Sequence, residues 1–190
     1  VTDYDYDLEF LEDGRTIELI SIGIVADDGR EYYAVNRDAP WKRIAKHDWL
    51  MENVVPSLPR LHGDERLHRW ILSRYGRRTN PCMLDFAHPH MHSRDVIAAG
   101  VRSFLLSGGE PVLWADYGAY DHVALCQLWG RMIDLPSGLP MFTNDIQQEA
   151  RRLGVGWDEL PQQPAGHHNA LADARHNQVK RQFLAARAAS

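Results

Sequence analysis

Residues 4–10, Tyr-Asp-Tyr-Asp-Leu-Glu-Phe, place an acidic group at every second position. That alternation is the period of a strand with two unlike faces. Asp7 and Glu9 therefore project from one face. Asp5 shares it, either as a further acidic group at the same site or as a frayed strand start. A turn at Glu12-Asp13-Gly14 follows, and residues 18–26 form a strongly apolar, β-branched run. Asp27-Asp28-Gly29-Arg30 is a hairpin turn signal, and residues 31–35 return as a third strand. Three strands joined by tight turns predict an antiparallel meander.

The pattern then changes period. Residues 40–53 carry Trp41, Ile44, Ala45 and Leu50 at helical spacing, before Pro56 and Pro59 break the chain. Residues 65–75 predict a short helix, and residues 76–92 an irregular surface excursion marked by Arg77, Arg78 and Asn80-Pro81. Ser93 is an N-cap for a helix with Val96, Ile97, Val101, Phe104 and Leu105 on one face, ended by Gly108-Gly109. Residues 111–115 read as a short buried strand. A helix over 119–129 carries Val123, Leu125 and Leu128, and another over 145–153 ends at Gly154. Pro161 to Gly166 is a loop, and the last helix runs from about Asn169. The fold class is α/β, a mixed central sheet flanked by helices, in a single domain over residues 1–190 with no internal repeat.

Composition narrows the functional classes. The net charge of −5 argues against sequence-indifferent coating of nucleic acid, which relies on many phosphate contacts. It leaves room for an enzyme on nucleic acid, because bound cations restore local positive potential. Arginine outnumbers lysine heavily; guanidinium suits bidentate phosphate contacts, although genome bias produces the same excess. No apolar run approaches the ~20 residues of a membrane span, and no basic-then-apolar leader opens the chain. Cys82 and Cys126 make neither a disulfide framework nor a zinc spacing. A cytoplasmic protein with two reduced thiols and no membrane association is expected.

Candidate chemistry begins with Asp7 and Glu9. Two carboxylates on one strand face repel each other unless a positive group lies between them, and a divalent cation held by oxygen ligands is the usual solution. Two distant segments offer partners: Trp114-Ala-Asp116-Tyr-Gly-Ala-Tyr120-Asp121, at a strand end and helix start, and His167-His168-Asn-Ala-Leu-Ala-Asp173 on the last helix. His168 and Asp173 are about 140° apart on a continuous helix. They flank one site only if His168 lies at or before the helix start, which Pro164 and Gly166 favour.

Asp-x-Glu on the first strand, Tyr-Asp opening a mid-chain helix and His-x-x-x-x-Asp near the C-terminus resemble the DEDD-type 3′–5′ exonucleases of the histidine subclass, with a ribonuclease H-like fold. Within that superfamily, the runs from Asp7 to Gly23 and from Gly118 to Gly130 look like the actinobacterial polyadenylate-specific 3′-exoribonuclease AS group. The resemblance covers nearly the whole chain. It implies that Asp7, Glu9 and Asp173 hold the tighter of two Mg²⁺ or Mn²⁺ ions, that Asp7 also reaches the second, and that Asp121 supports the second directly or through water. It implies His168 as general base, for which an ordinary imidazole pKa near ~6.5 is suited. It further implies an RNA 3′ end as partner, nucleoside 5′-monophosphates as products, and a homodimer. Phe10-Leu11 replace the Thr-Gly common in the superfamily, and Asp116 stands where asparagine is common.

Other readings compete at individual residues. His167 rivals His168 as base, with spacing to Asp173 favouring His168. His88, His90 and His92 alternate as zinc or nickel ligands would, yet a solvated insertion explains them better. Phe10, Trp114 and Tyr117 flank the expected site and are candidates to stack on a terminal base; core packing is an equal reading for Trp114. Arg15 is either a phosphate contact or a turn residue. The leading function is a 3′–5′ exoribonuclease, with adenylate tracts or 3′ overhangs as favoured substrates. A proofreading-type DNA 3′–5′ exonuclease uses the same metal chemistry, and a non-catalytic nucleic-acid-binding module would keep only the fold.

Overall fold

The computed structural model describes residues 1–61 and 80–189. The meander is present: β1 (Thr2–Glu12), β2 (Ile17–Ala26) and β3 (Glu31–Asn36) pair antiparallel in sequence. After two short helices, α1 (Trp41–Ile44) and α2 (Asp48–Asn53), come β4 (Met91–His92) and α3 (Arg94–Leu106). The chain continues through β5 (Pro111–Ala115), α4 (Ala119–Cys126), β6 (Asn144–Asp145), α5 (Ile146–Leu153) and α6 (Ala170–Ala188). The six strands lie in the order β4-β3-β2-β1-β5-β6. β4, β5 and β6 each pair parallel to a neighbour, which makes the sheet mixed as expected.

Local physics explains where the elements depart from their sequence pattern. The helix expected over 40–53 is two, because His47 takes an extended backbone and its ring Nδ1 accepts the Leu50 N–H at 3.3 Å, capping α2. The helix expected over 65–75 lies outside the described residues. Residues 80–92 correct the picture of a solvated insertion: Cys82, Leu84 and Met91 are buried, and β4 extends the sheet beside β3. Val96 and Val123, expected on packing faces, are exposed, whereas Ile97, Ala98, Val101 and Leu105 form the buried stripe of α3.

The two faces of β1 carry different chemistry. Tyr4, Tyr6 and Leu8 point into an apolar core with Ile97, Val101 and Leu105 of α3 and Ala124 and Leu125 of α4. The odd-numbered face receives α6, which packs across β1 and β2. Its first turn sits directly on the sheet because β2 has Gly23 there. A Cβ at Gly23 would lie 2.4 Å from the Ala170 carbonyl and from Leu171 Cα, far inside contact distance.

The buried face of α6 mixes polar and apolar residues, with Asn177 and Arg181 buried alongside Ala170, Ala174 and Leu184. The Arg181 guanidinium donates to Asp5 through Nε and Nη2 at 2.9–3.0 Å and also bonds Asp27. Asp5 is fully buried, so it is neither a frayed strand start nor part of an acidic site. Burial raises its pKa to about 6, against the lowering effect of Arg181. A buried pair of this kind adds little net stability, because desolvation offsets the attraction, although breaking it by removing one partner is costly.

Candidate active site

At the C-terminal half of β1, where β5 no longer pairs with it, the sheet opens into a cleft of about 310 Å³. Asp7 and Glu9 of β1, Asp121 of α4, and His168 and Asp173 around the start of α6 all line it, with Phe10 and Tyr117 at its walls. Chain segments more than 100 residues apart thus converge on one surface. Asp7, Glu9 and Asp173 each place a carboxylate oxygen within 4.8 Å of the other two, the only such ligand group among the described residues. Among the described residues His88, His90 and His92 enter no group of this kind, although the His88 and His90 rings lie 5.2 Å apart.

Asp121 is placed beside the trio rather than within it. It is buried in the first turn of α4, and its Oδ1 accepts the Leu8 N–H at 2.9 Å. That bond ties α4 to β1 between the two other carboxylates. Asp173 is in the first turn of α6, and its Oδ1 accepts from Gln163 Nε2 at 2.7 Å. His168 precedes α6 with a left-handed backbone, φ 62°. Its carbonyl accepts the Ser57 hydroxyl at 2.8 Å, and its ring meets Trp49 edge-on with centroids 4.8 Å apart. His167 is exposed, and its Nε2 lies 3.1 Å from the Gln163 carbonyl.

The electrostatics of this cluster are those of uncompensated carboxylates. Loss of water raises the Asp7 pKa well above the ordinary aspartate value, and the charges of Asp121, Glu9 and Asp173 raise it further. Burial and then Asp173 and Asp121 push Glu9 up to about 8. Burial raises Asp121 to about 6 against the lowering Leu8 N–H. A cation among these oxygens removes each of these penalties. Hard carboxylate donors without thiolate or imidazole in the trio suit Mg²⁺ or Mn²⁺ better than zinc. The donor set therefore fits the expected ions.

Comparisons with known proteins give the family of the chain. Residues 2–184 match the model of the 3′–5′ exoribonuclease Rv2179c-like domain. The chain belongs to this family. It is 41% identical over 180 residues to the 3′–5′ exoribonucleases Rv2179c and MT2234.1 of two Mycobacterium tuberculosis strains, covering 94% of this chain and 89% of each relative. A solved structure of S. pombe Pop2p with Mg²⁺ and Mn²⁺ bound aligns over 98% of this chain and 82% of its own, at TM-score 0.41 and 12% identity.

Around the site of this exoribonuclease family member, several residues escape a sequence reading. Lys180 Nζ donates to Asp116 at 2.6 Å at the cleft edge, and Gln147 Nε2 donates to the other Asp116 oxygen at 2.6 Å. Asn177 Nδ2 donates to the Tyr6 carbonyl at 3.2 Å. Asp173, Asn177 and Lys180 are spaced i, i+4, i+7 on α6, a helical face that shows only when polar residues are counted as well as apolar ones. Trp114 does not line the cleft: its Nε1 donates to Asp3 at 2.9 Å, and its ring lies near Arg181 and packs against the cluster of Ile146, Ala150, Leu160 and Leu184. It is a packing residue, because its position on β5, level with Asp5, puts it at the Asp3 end of β1, away from the cleft at the other end of the same face. Arg15 is a turn residue whose backbone N–H donates to Asp13.

Proposed function

We propose that this chain is a divalent-metal-dependent 3′–5′ exoribonuclease of the histidine-subclass DEDD type, releasing nucleoside 5′-monophosphates from RNA 3′ ends. The observation that supports it most is the carboxylate trio of Asp7, Glu9 and Asp173, with Asp121 and His168 lining the same cleft. The printed names of the 41%-identical relatives support the same activity.

In this reading Asp7, Glu9 and Asp173 hold one ion, and Asp7 with Asp121 serves a second. When bound, the two ions supply charge stabilisation for the attacking and leaving oxygens of an in-line displacement. The protein supplies the rest. Gln163 keeps Asp173 oriented by donating to its Oδ1. The Leu8 N–H holds one Asp121 oxygen, which leaves the other for the cleft. His168 takes the proton of the attacking water, its backbone fixed by Ser57 and its ring by Trp49. Phe10, stacked on Tyr120 at 6.4 Å, presents a rigid apolar wall for the terminal base.

Adenylate tracts and 3′ overhangs are the substrates this reading favours. Free Cys82 and Cys126 support a reducing, cytoplasmic setting. Exposed Met132, Ile133, Met141 and Phe142 support a homodimer; a purely monomeric boundary in sedimentation velocity would count against it. The function itself is tested with 5′-labelled RNA and matched DNA carrying free 3′ ends, with Mg²⁺, Mn²⁺ or EDTA. A one-nucleotide ladder on RNA that EDTA abolishes is expected. Equal or faster degradation of DNA identifies a deoxyribonuclease instead, and binding without products leaves only a nucleic-acid-binding module.

A further inference from the structure

A second concavity, about 450 Å³ in volume, adjoins the cleft on the side of α4 and α5. Tyr117 lines both, so the two adjoin at its side chain. The cleft alone is close to the lower limit of a small-molecule site. It accommodates a terminal nucleotide, and the remainder of an RNA chain must leave over a neighbouring surface.

The lining of this groove suits that strand. Tyr117 and Tyr120 expose 66% and 57% of their surface there, an unusual exposure for two neighbouring aromatic residues. The Tyr120 ring stacks on Phe10 with centroids 6.4 Å apart. Arg151, in the last turn of α5, is exposed and makes no ion pair among the described residues, whereas its neighbour Arg152 is bound to Glu149 at 2.7 Å. The one carboxylate among the described residues of the groove is already engaged: Asp145 accepts the N–H groups of Gly118, Gln147 and Gln148 at 2.8–3.1 Å. The cation that remains for a ligand is Arg151, beside two aromatic faces.

We infer that this groove binds the nucleotides upstream of the scissile bond, with a base against Tyr120 and Tyr117 and a phosphodiester on Arg151. The inference rests on the exoribonuclease reading above and deepens it. It predicts that affinity for RNA, but not the chemical step, depends on Tyr120 and Arg151, which do not line the catalytic cleft.

The test compares two substrates of the wild-type protein and its Arg151→Gln, Arg151→Lys, Tyr120→Ala and Tyr120→Phe variants. One substrate is a tetra-adenylate. The other is the p-nitrophenyl ester of adenosine 5′-monophosphate, which places no nucleotide upstream of the scissile bond. Tyr120→Ala should raise the KM for the tetranucleotide by about 5- to 100-fold, the range of one lost base stack, and Tyr120→Phe should restore it. Arg151→Gln should raise that KM and flatten its log–log dependence on salt by about 0.7, one phosphate contact on a single strand; Arg151→Lys should keep the slope. Ester hydrolysis should be unchanged by Arg151→Gln. Tetranucleotide KM and salt slope at wild-type values in both Arg151→Gln and Tyr120→Ala overturn the groove, as does equal loss on the ester. A wild-type protein that hydrolyses neither substrate overturns the exoribonuclease reading, and this inference with it.

Discussion

Asp7 and Gly23 face each other across the β1–β2 ladder, and the missing side chain of the second sets what surrounds the first. The Ala170–Leu171 backbone occupies the space a Cβ would take, bringing the first turn of α6, with Asp173, down beside Asp7 and Glu9. The geometry of the carboxylate trio is therefore built on a glycine that touches no substrate.

Gly23→Ala should damage both stability and activity. A methyl group forced against backbone at 2.4 Å is overpacking without a flexible neighbour to yield, typically ~1–3 kcal/mol, or about 2–4 °C of Tm per kcal/mol for a chain of this size. Displacement of Asp173 by a fraction of an ångström should also lower metal-dependent hydrolysis, by up to about 10²-fold. Thermal melts and RNA hydrolysis check both. A variant with wild-type Tm and rate would show that α6 does not need this contact.

Metal-free protein should lose stability as pH rises through the neutral range. Glu9 has an ordinary value of 4.5 and stands near 8 in the folded chain. Between these values the folded state holds a proton that the unfolded chain has released, so increasing pH favours unfolding. Asp121, raised to about 6, acts in the same direction over a lower window. Melts in EDTA should show Tm falling from pH 5 to 8, and saturating Mn²⁺ should reverse the fall, since a ligand at 100 times its Kd adds about 2.7 kcal/mol. A metal-free Tm that rises over this range would contradict the burial and repulsion described for these carboxylates.

His168→Ala should separate chemistry from metal binding. Loss of a positioned general base typically costs about 10²–10⁴-fold in rate, while the carboxylate trio is untouched. The measurement is kcat together with Mn²⁺ affinity; unchanged kcat would move the role to His167 or to solvent.

The Asp5–Arg181 pair should behave as structure alone. Arg181→Ala leaves a carboxylate buried and unpaired, a loss of about 3–5 kcal/mol. Tm should fall steeply, whereas kcat measured on folded protein in the cold should stay near wild type. A loss of kcat with intact folding would bring Asp5 into the catalytic group.

The residues that a sequence can locate are those whose role follows from local spacing. Asp7 and Glu9 show their common face through strand alternation, and Ser93 marks a helix start by capping chemistry that the structure repeats; Asp145 and Asn169, at the expected starts of two other helices, cap them as well. His168 before the last helix was legible from Pro164 and Gly166. Residues whose role depends on long-range packing were not. Asp5 has the same spacing as Asp7 but meets Arg181, 176 positions away, instead of the cleft. Trp114 adjoins the Asp116–Asp121 segment in sequence yet packs on Asp3 and Arg181. The buried side of α6 interleaves polar residues with Ala170, Ala174 and Leu184, so apolar periodicity alone passes over Asn177 and Lys180. Residues 80–92 look like loop because their buried positions, Cys82, Leu84 and Met91, have no regular period.

The central claim is that Asp7, Glu9 and Asp173, with Asp121 beside them, form the seat of two divalent ions. Titration of the protein with Mn²⁺, followed by the electron paramagnetic resonance signal of the free ion, tests it most directly. Two ions bound per wild-type chain, and loss of that binding in a folded Asp7→Asn variant, is the predicted result. Binding in Asp7→Asn that matches wild type in stoichiometry and affinity would contradict it.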